Sequence, residues 1–202
     1  MAISRKALVL CAMLLIASHS GSATDSGFSD VFEQESFHAS SQSLIWSDQN
    51  NDTHFGQIYY PATSPGSAQP IDNTSGPYPL LIWIGADGEA NDQYDWLGEN
   101  LSKAGYITVV LPPDWNSADT QNQCLSILYL WYRLEYNHIN GSFQGDPENM
   151  RDAFDLHHWG VGGHGQGAKQ AAQCQMILSG AWSEFVSLPL PTALVALGLE
   201  NV

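Results

Sequence analysis

Gly163-His164-Gly165-Gln166-Gly167 is the stretch on which the reading of this chain turns. His158 to Gly162, just before it, reads as a short apolar strand, and Gln166 to Leu178 reads as the helix that follows. Three glycines within a strand-to-helix junction mark a tight turn in which main-chain segments come close together.

Upstream of the junction the chain alternates strands and helices. Ser43 to Ser47 and Phe55 to Pro61 predict two strands, joined as a hairpin by the turn-rich Asp48 to Thr53. Thr63 to Pro79, rich in Pro, Gly, Ser and Asn, is a loop. Leu80-Leu81-Ile82-Trp83-Ile84 is a continuous apolar run, which suits a strand buried on both faces of a parallel sheet. Asn91 or Asp92 can cap the next helix. Its apolar face is Tyr94, Leu97, Leu101 and Ala104, and Gly105 suits its end. Tyr106 to Leu111 is a second buried strand, stopped by Pro112-Pro113. A helix over Thr120 to Tyr136 presents Cys124, Leu128, Trp131 and Tyr132 on one face, and a long connection runs over 137–156. Downstream of the junction, a Pro-bearing loop leads to a last strand, Thr192 to Leu197. A hairpin followed by strand–helix alternation predicts an α/β fold, a mainly parallel sheet with helices on both faces.

The 202 residues are 44% hydrophobic and 11% aromatic, which places them among globular chains. Residues 1–23 read as a secretory signal peptide. Arg5 and Lys6 are its basic start, Ala7 to Ala17 its apolar centre, and Ser18/Ser20 or Gly21/Ala23 fill the cleavage positions. The apolar centre is too short to span a bilayer, so no membrane span is expected once the signal is removed. Residues 24–43 read as a polar N-terminal arm and 44–202 as the folded domain. The signal holds two of the six basic residues and none of the 21 acidic ones, so its removal leaves four basic against 21 acidic, a net charge of −17. That charge argues against nucleic acid or an anionic membrane as partner. Export allows Cys124 and Cys174 to form a disulfide, with two separate buried thiols as the alternative. N-x-[ST] sequons stand at Asn51, Asn73, Asn100 and Asn140, and those at Asn51, Asn73 and Asn140 are expected in loops as glycosylation sites. No Cys/His spacing suggests a metal, and no cofactor motif is present.

Over about residues 43–200 the chain resembles the α/β-hydrolase family. Its nearest branch in motif pattern is the secreted polyester hydrolases, cutinase-like lipases and platelet-activating-factor acetylhydrolases. The resemblance is carried by Gly56-Gln57-Ile58-Tyr59-Tyr60-Pro61, by Tyr78 to Gly85, by Trp96-Leu97 through Ala104-Gly105-Tyr106, and by Gly162 to Ala168. It implies that the junction is the nucleophile elbow, G-x-S-x-G, whose serine is activated by a histidine that an acidic residue orients. It also implies an oxyanion hole of two main-chain N–H groups, from Gln166 and Ala86. The nucleophile position is Gly165, which has no side chain to attack with, and His164 occupies a place that is not the family's catalytic base.

The family's acid and histidine follow the elbow. After Gly167 this sequence has no Asp and no His, and only Glu184 and Glu200 are acidic. Serine, acid and base are thus all absent, and removing such a triad lowers turnover on the order of a million-fold. His38, His54, His138, His157 and His158 read as solvated or capping residues. Trp115, beyond a strand end, is the aromatic pocket candidate. The family's sheet continues past Thr192 to Leu197, so this reading expects a fold truncated after about six strands, with an apolar edge open to a partner chain. Three functions follow as alternatives: a secreted esterase-lineage protein inactive in this form, a non-catalytic module binding a small ester or lipid-like ligand, or a fragment of an active serine esterase.

Overall fold

The computed structural model describes residues 37–48, 50–112, 120–179, 189 and 191–197. Along them run β1 (His38–Ser47), β2 (Thr53–Ala62), β3 (Tyr78–Ile84), α1 (Asp95–Lys103), β4 (Ile107–Leu111), α2 (Thr120–Asn140), β5 (Phe154–His164), α3 (Gln166–Ser179) and β6 (Ala193–Leu197). The strands form one sheet in the order β1-β2-β4-β3-β5-β6. β1 pairs antiparallel with β2, and β2 with β4; the β4–β3, β3–β5 and β5–β6 pairs are parallel. This is the mainly parallel α/β sheet expected from the alternation of elements.

The continuous apolar runs become central strands because both of their faces are covered. In β3, Leu80, Ile82 and Ile84 point into a core that α2 and α3 close with Ile127, Leu130, Leu134, Ala171 and Leu178. Leu81 and Trp83 point the other way, against Leu97 and Leu101 of α1. Strand alternation thus sends neighbouring residues to opposite faces, and each face receives helices. α1 lies so close to β2 that a Cβ at Gly98 would stand 2.2 Å from the Tyr59 ring. α1 ends where the sequence suggests. Gly105, at φ +85°, donates to Ser102 O, while Tyr106 N–H reaches back to Leu101 O, a Schellman closure.

Four boundaries differ from the sequence reading. The polar arm expected over 24–43 gives way to strand at His38, because β1 pairs with β2 along its whole length from His38↔Ala62 to Ser47↔Thr53. A main-chain ladder of that kind needs no apolar period in its serines. Asn91 and Asp92 do not cap α1; they sit in a 3-10 turn, Asn91–Tyr94, and neither this turn nor α1 has a side-chain cap. α2 extends to Asn140, so that sequon closes a helix instead of lying in a loop. β5 begins at Phe154 within the expected connection, since a register shift between Pro79 and Leu80 lets it pair with β3 on both sides of an irregular segment.

Cys124 of α2 and Cys174 of α3 are joined, with S–S 2.09 Å, tying two helices of one face together. Residues 1–36, with the signal peptide and most of the arm, and residues 198–202 lie outside the described residues. No helix of the described residues is long and apolar enough to cross a membrane.

Candidate active site

The Gly163–Gly167 junction is a sharp turn between the end of β5 and the start of α3. Gly165 has φ +56°, the left-handed region that side-chain-bearing residues adopt only under strain. Its neighbours are held by close approach. A Cβ at Gly163 would lie 2.4 Å from the main chain of Gly167, and one at Gly167 would lie 2.3 Å from the carbonyl oxygens of Ile84 and Gly85. Among the described residues beyond its chain neighbours, a Cβ at Gly165 would meet only Ala86 Cβ, at 3.5 Å. The turn therefore has the backbone of an elbow and room for a side chain at its apex, and carries none there. Gly165 N–H is engaged by Leu197 O at 2.9 Å, which pins the apex to β6.

Of the sequence candidates, Gly165, Gln166 and Ala86 come together. Gln166 opens α3, so its N–H has no helix-internal acceptor. Ala86, which follows β3, is different: its N–H donates to Tyr94 Oη at 2.7 Å. The donor expected to be open for an oxyanion is thus already satisfied. Trp115 lies outside the described residues, as do Glu184 and Glu200.

Tyr94 and Glu89 escaped the sequence reading, which placed Tyr94 on the apolar face of a helix. Both flank the turn after β3, and they meet His164 at the tip of β5. Tyr94 O–H donates to Glu89 Oε2 at 2.8 Å, and His164 Nδ1 stands 3.3 Å from Tyr94 Oη and 3.7 Å from Glu89 Oε2. Burial, joined by the Glu89 carboxylate, pushes the Tyr94 phenol far above its ordinary range, against the opposing pull of the Ala86 N–H. The phenol therefore keeps its single proton, which goes to Glu89. One lone pair takes Ala86 N–H, so His164 Nδ1 pairs with Tyr94 only as a donor. The signal in the sequence for these residues was a phenol among acidic residues just after a strand end.

The other histidines are placed elsewhere. His38 starts β1, His54 pairs with Asp48 at 3.3 Å, and His138 Nδ1 accepts Phe154 N–H. His157 and His158 lie in the first half of β5, with His158 on Asp155 at 2.7 Å, toward the opposite end of the strand from the elbow. Among the described residues no group of His, Cys, Asp and Glu could hold a metal. The sequon side chains differ in freedom. Asn73 Nδ2 donates to Asn149 O at 2.6 Å and Arg151 O at 3.0 Å, Asn100 Nδ2 to Trp96 O, and Asn140 Nδ2 to Tyr136 O. Asn51 is exposed in the β1–β2 turn.

A solved structure has this same architecture. It is a ferulic acid esterase from Streptomyces cinnamoneus, matched with TM-score 0.51 and 14% identity over 78% of this chain and 57% of that one. The fold is accordingly esterase-like, of the α/β-hydrolase kind. At that identity the likeness speaks for the fold alone, and the chain spans 57% of the esterase's length. No protein-family model and no curated protein sequence matches the chain.

Proposed function

We propose that this chain is a secreted protein of carboxylic-ester hydrolase lineage that does not turn over esters in this form. The observation that carries the reading is Gly165: the apex of an elbow at φ +56° with no nucleophile. Its glycine neighbours still meet the demands of the turn, while the side chain that does the chemistry is gone. No Asp or His after Gly167 in this sequence can supply the rest of a triad in the family's order. The branch suggested by the motifs, the signal peptide and a glycan at Asn51, the sequon with an exposed turn position, belong to the same proposal.

The test is direct. The purified 202-residue chain, offered a fluorogenic short-chain ester and a serine-directed fluorophosphonate, is expected to show no turnover above background and no covalent labelling. Enzyme-like turnover would sink the reading.

The space beside Gly165 favours a second reading, a non-catalytic module for a small ester or lipid-like ligand. Among the described residues, that space borders Ala86 Cβ at 3.5 Å and no other residue beyond its chain neighbours within 4 Å. Saturable ester binding without turnover would favour it.

A further inference from the structure

We propose that the Tyr94 hydroxyl occupies the oxyanion place of the elbow and that a ligand carbonyl enters only by displacing it. The inference rests on reading the elbow as an ester-type site. Of the two main-chain donors that would face a carbonyl oxygen there, Gln166 lies at a helix start, whereas Ala86 already donates to Tyr94 Oη at 2.7 Å. A phenol oxygen accepting that N–H makes the contact that a substrate oxygen would make.

Tyr94 is fastened in this position. It is 3% exposed, its ring centroid lies 6.0 Å from that of Trp83, and its hydroxyl is held by Glu89 at 2.8 Å and flanked by His164 Nδ1 at 3.3 Å. Glu89 Oε2 also stands 3.7 Å from His164 Nδ1, so the carboxylate lies within reach of both groups beside the hydroxyl. Meanwhile the space over Gly165 opens directly beside Ala86 Cβ, at 3.5 Å. Among the described residues, the place of a side chain at 165 thus adjoins a donor that an internal group has claimed. The ligand class follows from the donor: a neutral carbonyl compound, ester or ketone, whose oxygen accepts but has no proton to give. Such an oxygen must compete with a bond already made at Ala86.

The experiment titrates 2-pentanone, an uncleavable neutral counterpart of a short ester, into the nitrogen-15-labelled 202-residue chain and follows the Ala86 and Gln166 amide resonances. The unaltered protein is expected to bind weakly, with Gln166 and Ala86 shifting together as the carbonyl takes the phenol's place on Ala86 N–H. Tyr94→Phe leaves Ala86 N–H without its acceptor; it is expected to bind about tenfold tighter, the worth of one neutral hydrogen bond, with both amides shifting. Glu89→Ala changes a half-exposed side chain and keeps the ring. It is expected to gain about threefold by loosening the hydroxyl, and it carries the test should Tyr94→Phe fail to fold. Because the probe is uncharged, loss of the Glu89 charge does not itself attract it. Equal affinity in all three proteins with Gln166 shifting would overturn the displacement proposal and leave the elbow reading standing. No shift at Gln166 in any of them would overturn the elbow reading and this inference with it.

Discussion

At Gly165 two physical demands separate that usually coincide. An elbow apex must hold φ near +56°, and in a working hydrolase it must also carry an oxygen nucleophile. Glycine meets the first without strain and forfeits the second. Gly165→Ala has space for its Cβ, so the expected loss is the backbone term alone, about 1–2 kcal/mol in urea unfolding. Gly163→Ala, whose Cβ would lie 2.4 Å from the Gly167 main chain, is expected to lose about 3 kcal/mol or more, because the neighbour that must move is backbone. Gly165→Ser restores the oxygen and nothing else. Its ester turnover is expected to stay at the level of the unaltered chain. Robust hydrolysis by that variant would mean that a base reaches the apex from outside the family's chain order. The bare apex was legible from five residues because elbow spacing is local. The Tyr94–Glu89–His164 contacts were not, since 70 residues of chain separate Tyr94 from its histidine.

Among the elements, β3 and β4 were readable because strands buried on both faces must be apolar throughout. The first halves of β1 and β5 were not. Their residues read His-Ala-Ser-Ser-Gln and Phe-Asp-Leu-His, and only ladders with β2 and β3 make them strands. The same dependence on partners governs α2 and α3. Cys124 and Cys174, both buried, close a loop at a sequence separation of 50. Replacing both with alanine is expected to lower unfolding free energy by about 4 kcal/mol through the larger entropy of the unfolded chain. A thermal melt compared with the oxidised protein checks it, and an unchanged midpoint would show that the two helices need no covalent tie.

Over the whole molecule, buried tyrosines set an alkaline limit. Burial raises the phenols of Tyr59, Tyr78 and Tyr94 above their ordinary value of 10.0. Asp95 adds to the effect at Tyr59, and burial with Asp72 brings Tyr78 to about 12. The folded values lie above the unfolded one, so the contribution to stability is complete below pH 10. As pH rises further the unfolded chain ionises first, and the contribution drains away through about 12 for Tyr78 and higher for the other two. The melting midpoint is expected to fall from about pH 10 upward, with tyrosinate absorbance appearing in the unfolding transition itself. Tyrosinate absorbance appearing well before unfolding would contradict it. By itself the sequence determined the alternation of elements, the apolar central strands and the absence of a nucleophile at the elbow, because each depends on residue type and spacing over a few positions. Tertiary structure alone decided where β1 and β5 begin, which helices the cysteines join, and that Tyr94 fills the place beside Ala86. Those outcomes depend on which distant segments the sheet brings within hydrogen-bonding distance, and no local pattern encodes that distance.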